Sequence, residues 1–270
     1  MTEPGMQVRP AEGPVGARLT GLDLAIELKP EIVAAVRQAL LDHCVLVFPE
    51  QALSDEEQVR FTGYFGSPRE HVRKQQDRRV KEIFIISNVK EKGEPIGALG
   101  SATVGFHSDL SYMPHPGTIS LLQALEIPQE GGETQFCDCR AAYDAMSETQ
   151  KTHLGSLRAV HRHPVAEQNA PGVVSHPIVR THPETGRRTL YVSPHLTSHV
   201  VGLDEADSAQ LLNEIYAHMD QPQFIWTQRW AVGDLLMWDN RPTMHRRLGF
   251  PDEQRRVMKR TQVFGDEPVL

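Results

Sequence analysis

The chain has 270 residues, with 28 Lys and Arg against 35 Asp and Glu for a net charge of −7, and it is 39% hydrophobic and 23% charged. These are ordinary values for a globular protein and exclude disorder and collagen-like or fibrous structure. The acidic balance, with basic stretches from Arg73 to Arg79 and Arg255 to Arg260 that are short and free of interleaved aromatics, argues against nucleic acid as a partner.

No apolar run reaches the length of a membrane span, and Met1 to Val15 has no basic segment leading into an apolar one. Neither a membrane partner nor a signal peptide is expected, and the cytoplasm is the default location. Ile32, Val33, Val36, Leu40 and Leu41 recur at helical spacing over Pro30 to His43, and Val45 to Phe48 follows as an apolar strand. Ser54 with Glu57 three residues on is a capping box; it opens a helix running to about Phe65, which Gly66 and Pro68 close.

From Ile83 the apolar runs are short and β-prone: 83–87, 118–125, 134–137, 178–181, 189–192, 223–230, 235–238 and 256–264, with turns such as Pro183 to Gly186 between them. Two helices interrupt them, Arg140 to Leu157 and Ala206 to Met219. Many short strands without a βαβ rhythm predict a mainly β fold with flanking helices, a β-sandwich or jelly-roll barrel rather than a parallel doubly wound sheet. No repeat and no linker appears, so 1–270 reads as a single domain. Cys44, Cys137 and Cys139 are an odd number without a second zinc-spaced pair, and read as reduced thiols.

Three features carry chemistry. His107 and Asp109 are two apart, so an imidazole and a carboxylate face the same side of a strand or short turn. Such a pair often arises by chance, but a third ligand is available in His245, which follows the apolar strand Leu235 to Trp238 and a turn. Two His and one carboxylate occupy one face of an octahedral Fe(II) and leave three positions open. Zinc also accepts these donors. The third feature is the basic strand after His245, in which Arg256 and Arg260 face one side and Arg255 and Lys259 the other. Two guanidinium groups aimed into one cavity suit carboxylates or sulfonates.

These motifs occur in the order found in the Fe(II)- and 2-oxoglutarate-dependent dioxygenases that include taurine dioxygenase and 2,4-dichlorophenoxyacetate dioxygenase, and the chain resembles that family nearly end to end. The resemblance is carried by Gly16 to Asp23, Val47 to Gln51, Phe65-Gly66, His107-Ser108-Asp109, Gly131 to Thr134, Thr181 to Gly186, Trp238 to Arg241, His245 and Arg256 to Arg260. It implies a double-stranded β-helix core of the jelly-roll, cupin-like kind, that His107, Asp109 and His245 bind Fe(II), and that Arg256 and Thr134 hold the far carboxylate of 2-oxoglutarate. It also implies that O2 is consumed, that succinate and CO2 are released, and that the protein is a homo-oligomer, dimer or tetramer.

The same resemblance gives Arg260 to the anionic group of a small organic substrate, with His71 and Thr103 as further substrate positions. Thr103 replaces an asparagine of the taurine enzyme, and Lys74 replaces its tyrosine, which argues against taurine. Ser87 to Lys90, Leu110 to Pro114 and Arg140 to Ala145 look closer to the aryloxyalkanoate branch. Tyr112, Met113 and Leu196 are candidates for an apolar pocket wall, and His195 or His199 for its mouth. The Gly-bearing segment 90–104 is a candidate lid. Two other readings of the same residues are a non-catalytic anion-binding protein on the same barrel and a zinc-dependent hydrolase, the latter requiring a general base beside the metal-bound water.

Overall fold

A computed structural model describes residues 5–73, 75 and 78–265. Two sheets stand face to face. The larger has eight strands in the order Gln7–Pro10, Ala17–Thr20, Val45–Phe48, Leu235–Asp239, Gly117–Glu126, Val257–Phe264, Phe84–Ser87, Ala98–Leu99. The smaller has four, Ile225–Gln228, Thr134–Asp138, Thr243–Arg247 and Val104–His107. This is the expected jelly-roll with flanking helices.

Period-two alternation explains why the strands of the larger sheet are apolar on both faces. Leu46, Phe48, Leu235 and Met237 point outward to helices α1 (Pro30–His43) and α2 (Asp55–Gly63), meeting Ile32, Val36, Leu40 and Phe61. Val45, Val47, Leu236 and Trp238 point inward and meet Phe136 of the smaller sheet. The smaller sheet repeats the pattern: Phe136 faces the larger sheet, while Cys137 and Met244 face helices α3 (Cys139–Asp144), α4 (Glu148–Gly155) and α5 (Glu205–Met219). The inner layer between the sheets therefore combines apolar packing with the side chains of the site.

The α1 boundaries match those read from the sequence, and α2 begins at the capping box, with Ser54 Oγ accepting from Glu57 N and Glu57 returning the bond to Ser54 N. The single helix expected over Arg140 to Leu157 is instead two. Ser147 caps a new helix, its Oγ accepting from Gln150 N while the Gln150 side chain accepts from Ser147 N, so the chain turns at Met146. The strand expected over 223–230 is shorter, Ile225–Gln228, and is preceded by a 3-10 turn at Pro222–Phe224. The three cysteines are free and buried.

Candidate functional site

His107 ends the strand Val104–His107, and His245 lies at the centre of Thr243–Arg247. The two strands are antiparallel neighbours with His107 and His245 as direct partners, which places their rings 4.3 Å apart. Asp109, two residues past the strand end, returns to the same side. One ligand atom from each of the three lies within 4.8 Å of the others. His107 Nδ1 is 2.8 Å from Gly105 O, so it carries the proton donated to that carbonyl and leaves Nε2 as a free donor to a metal, 3.8 Å from Asp109 Oδ1. Burial pushes His245 down to about 3, with His107 adding to the shift, so its imidazole is neutral at physiological pH. Burial acts to raise the Asp109 carboxyl, but the Arg260 charge leads the opposing influences, joined by the hydrogen bond from Ser120, and the group stays well below the usual carboxylate range. Two neutral imidazoles and one carboxylate on one side of a shared space are a donor set suited to Fe(II).

Two cavities meet at these residues. The first lies between the sheets, with Thr134, Trp238, Arg247 and Arg256 in its wall. Arg256 is only 2% exposed, and neither it nor Arg247 makes an ion pair among the described residues. Burial, together with repulsion from Arg247, brings Arg256 down to about 9, so the cavity holds cationic groups awaiting an anion. Thr134 Oγ1 accepts from Trp230 Nε1 at 3.1 Å, which leaves the hydroxyl proton free to point into the cavity. The turn beside it needs glycine: Gly131 has φ 74° and a Cβ there would collide with Gly249 O, while a Cβ on Gly132 would lie 3.4 Å from Arg256 Nε.

The second cavity opens on the other side of His107 and Asp109. Phe84, Leu99, Val104, Leu110, Tyr112 and Leu196 supply apolar surface. His71, Arg73, His163, Gln168 and His195 supply polar atoms. Arg260 borders both cavities; its Nη1 donates to Asp109 Oδ1 at 3.2 Å and its guanidinium lies over the Phe84 ring. Lys259, on the opposite face of the same strand, donates to Leu53 O and pairs with Asp55, and Arg255 pairs with Glu126 at the surface. The two-face division of the basic strand is therefore as expected.

His71 packs on Phe84 with ring centroids 4.2 Å apart, and burial followed by the Arg260 charge lowers it to about 3. Thr103 is not brought to either cavity: it is exposed, and its Oγ1 accepts from Gly249 N, tying segment 90–104 to the loop after His245. Leu99 and Val104 of that segment do border both cavities, and Arg247 holds it by donating to Leu99 O at 2.9 Å and to Ala102 O. Met113 packs beside Leu110, Tyr112 and Leu196 behind the wall. His195 reaches the cavity, while His199 is exposed and bonds Ser198. Lys74 lies outside the described residues. Arg247, Trp230, Arg73 and Gln168 escaped the sequence reading, and His163 is notable there only for its same-face spacing with His161, which no carboxylate completes; of the others only Arg247, two residues past His245 on one strand, carried a spacing signal.

Residues 7–262 match the family described as "Taurine catabolism dioxygenase TauD, TfdA family". An alpha-ketoglutarate-dependent 2,4-dichlorophenoxyacetate dioxygenase from Cupriavidus pinatubonensis is 34% identical, over 94% of this chain and 96% of its own length. The crystal structure of a taurine dioxygenase from Burkholderia xenovorans superposes with a TM-score of 0.84 at 34% identity, covering 98% of this chain and 91% of that one. The crystal structure of AAD-2 in complex with Mn(II) and N-oxalylglycine superposes with a TM-score of 0.83 at 30% identity, covering 98% and 99%.

Proposed function

The chain belongs to the TauD/TfdA family and is a non-haem Fe(II)- and 2-oxoglutarate-dependent dioxygenase, and from that premise we propose how its residues divide the work and what kind of substrate they take. His107, Asp109 and His245 hold the metal. Arg256 and Thr134 hold the distal carboxylate of 2-oxoglutarate in the cavity between the sheets, and Arg260 holds the anionic group of the substrate. The observation that carries this reading is the convergence of the three donors at the junction of two cavities, one holding Arg247 and Arg256, which make no ion pair among the described residues, and the other combining an apolar wall with Arg260 and several imidazoles.

When bound, the metal with 2-oxoglutarate and O2 supplies the oxidising power for substrate hydroxylation, with release of succinate and CO2. The protein's part is positional. Arg256 offers a planar fork to a carboxylate, and the Thr134 proton, left free by the Trp230 bond, adds a second donor. Phe84, Leu110, Tyr112 and Leu196 exclude water from the reacting C–H bond.

The substrate is a small organic anion, carboxylate or sulfonate, with an apolar body of the aryloxyalkanoate type. A wall this rich in aromatic and branched side chains exceeds what a short polar sulfonate needs. The Cupriavidus relative is named for a phenoxyacetate of this chemistry. Asp109 is the only carboxylate bordering either cavity among the described residues, which leaves a zinc hydrolase without its general base. The reading extends to a single domain over 1–270, working as a cytoplasmic homodimer or tetramer without nucleic acid. No helix among the described residues is long and apolar enough to cross a membrane.

The test is anaerobic visible absorption of the protein with Fe(II), before and after adding 2-oxoglutarate. A charge-transfer band appearing only with both, and absent in His107→Ala and Asp109→Ala variants that retain their circular dichroism, is expected. Iron bound at stoichiometry with no band would reject 2-oxoglutarate as a chelator.

A further inference from the structure

Asp109 follows a strand end, so its carboxylate is aimed by other parts of the chain. Its backbone N–H donates to Asn240 Oδ1 at 3.2 Å, and its Oδ2 accepts from Ser120 Oγ at 2.7 Å. Asn240 and Ser120 are themselves bonded, Nδ2 to Oγ, at 2.9 Å, and both are fully buried. Asn240 Oδ1 also accepts from Trp238 Nε1 at 2.9 Å, and the Asn240 backbone N–H donates to Thr118 O. Gln262 Nε2 approaches Ser120 Oγ at 3.1 Å. The turn carrying Asn240 is pinned by Arg241, which grips Asp239 and Glu184.

The direction of this chain of bonds follows from donor and acceptor counts alone. The indole N–H of Trp238 and the main-chain N–H of Asp109 can only donate, so the Asn240 atom facing them is the oxygen, and its amino group faces Ser120. Ser120 Oγ then accepts from amide donors and has one proton left. The atom in line for it is Asp109 Oδ2, an acceptor only. The other oxygen, Oδ1, faces Arg260 and His107.

We propose that Ser120 and Asn240 are positioning residues that keep Oδ2 of Asp109 engaged away from the metal, so that the carboxylate ligates through Oδ1 alone. This rests on the metal-site reading above and goes beyond it by naming what sets the number of oxygens Asp109 contributes. A carboxylate ligating through one oxygen leaves three of six positions free, and two of them are needed for chelation by a 2-oxo acid. Release of Oδ2 lets Asp109 take a second position and compete with that chelation. Loss of Ser120 therefore weakens the 2-oxo acid while the metal stays bound.

The experiment uses Co(II)-loaded protein without oxygen, read by its visible ligand-field absorption and by titration with N-oxalylglycine. In Ser120→Ala, Co(II) is retained, the absorption changes in shape and intensity, and N-oxalylglycine binding weakens by roughly 10-fold or more, the lower end of what loss of an outer-shell partner costs in activity. Asn240→Asp keeps the acceptor for Trp238 and Asp109 N–H but competes for the Ser120 proton, so it shifts the spectrum in the same way and serves if Ser120→Ala does not fold. An unchanged spectrum with unchanged N-oxalylglycine affinity overturns the proposal. So does loss of Co(II) from a variant with unaltered circular dichroism, which would make Ser120 a requirement for the metal itself. Wild-type protein that takes up Co(II) no better than His107→Ala overturns the metal-site reading, and this proposal with it.

Discussion

The two cavities at the His107–Asp109–His245 cluster are built differently. The one between the sheets takes its lining largely from strands, Thr134, Trp238, His245, Arg247 and Arg260, with Arg256 immediately before the strand Val257–Phe264. The other takes His71, Arg73, Leu110, Tyr112, His163, His195 and Leu196 from segments outside any strand. Strand positions are fixed by ladders of hydrogen bonds, whereas loop positions can vary without disturbing the sheets. A site that must recognise the same dicarboxylate every time belongs on the first kind of scaffold, and one that selects a particular substrate belongs on the second.

The sharpest break between the two sides should come from the arginines. Arg256→Ala is expected to cost about 2–5 kcal/mol in 2-oxoglutarate affinity, the usual penalty for truncating one partner of a buried charged contact. That is roughly 30-fold to several-thousandfold. The same substitution removes a buried cation without an ion-pair partner, so the apoprotein should be no less heat-stable than wild type. Arg260→Ala should act chiefly on the KM of the organic substrate. Anaerobic 2-oxoglutarate titrations of both variants, with melting curves, check this, and equal losses of 2-oxoglutarate affinity would erase the distinction.

A smaller effect is expected from the loop-built side. Truncating Leu196 or His71 to Ala should change kcat/KM among apolar anions by about 1–3 kcal/mol, in the range set by a few methylene-sized contacts. The KM for 2-oxoglutarate should stay where it was. Succinate formation measured across a panel of aryloxyalkanoates and alkylsulfonates gives both numbers, and a parallel rise in the 2-oxoglutarate KM would show that the cavities are not separable.

The same division governs what the sequence discloses. Arg256 and Arg260 are four apart, and His107 and Asp109 are two apart, so spacing alone suggests each pair; His245 offered itself as a third ligand by residue type, but nothing in the sequence makes it the direct strand partner of His107. Capping boxes are local, which is why α2 was legible at Ser54. The same kind of signal stands at Ser147 and Gln150, inside the span expected as one helix, and there it starts a second one. Loop convergence has no such period: nothing in the spacing of His71, His163 and His195 brings them to one cavity, and Thr103, adjacent to the strand of His107, turns instead to Gly249. Ser120 and Asn240 meet Asp109 only because three separate segments close on one carboxylate.

The remaining expected effect concerns acid. Behind the loop-built wall, His161 stacks on Tyr191 and lies 5.0 Å from His176, whose Nε2 is 2.8 Å from Ser111 O in the turn that carries Tyr112. Burial lowers His161 to about 3 and His176 to about 4, with neighbouring positive charge adding to each. An unfolded histidine binds its proton near pH 6.5, so between about 6.5 and these folded values the unfolded chain holds more protons than the native one. Stability is therefore full above 6.5 and declines as the pH falls toward 3, by about 2 kcal/mol at pH 5 for His161. His161→Phe keeps the stacked ring and cannot take a proton, so its melting temperature should fall less between pH 7 and pH 5 than that of wild type. If both fall equally, the acid sensitivity originates elsewhere; if the difference appears, the loop-built side is also the first part of the site to loosen in acid, since the cluster is bonded to the Ser111 turn and not to the strand that follows Arg256.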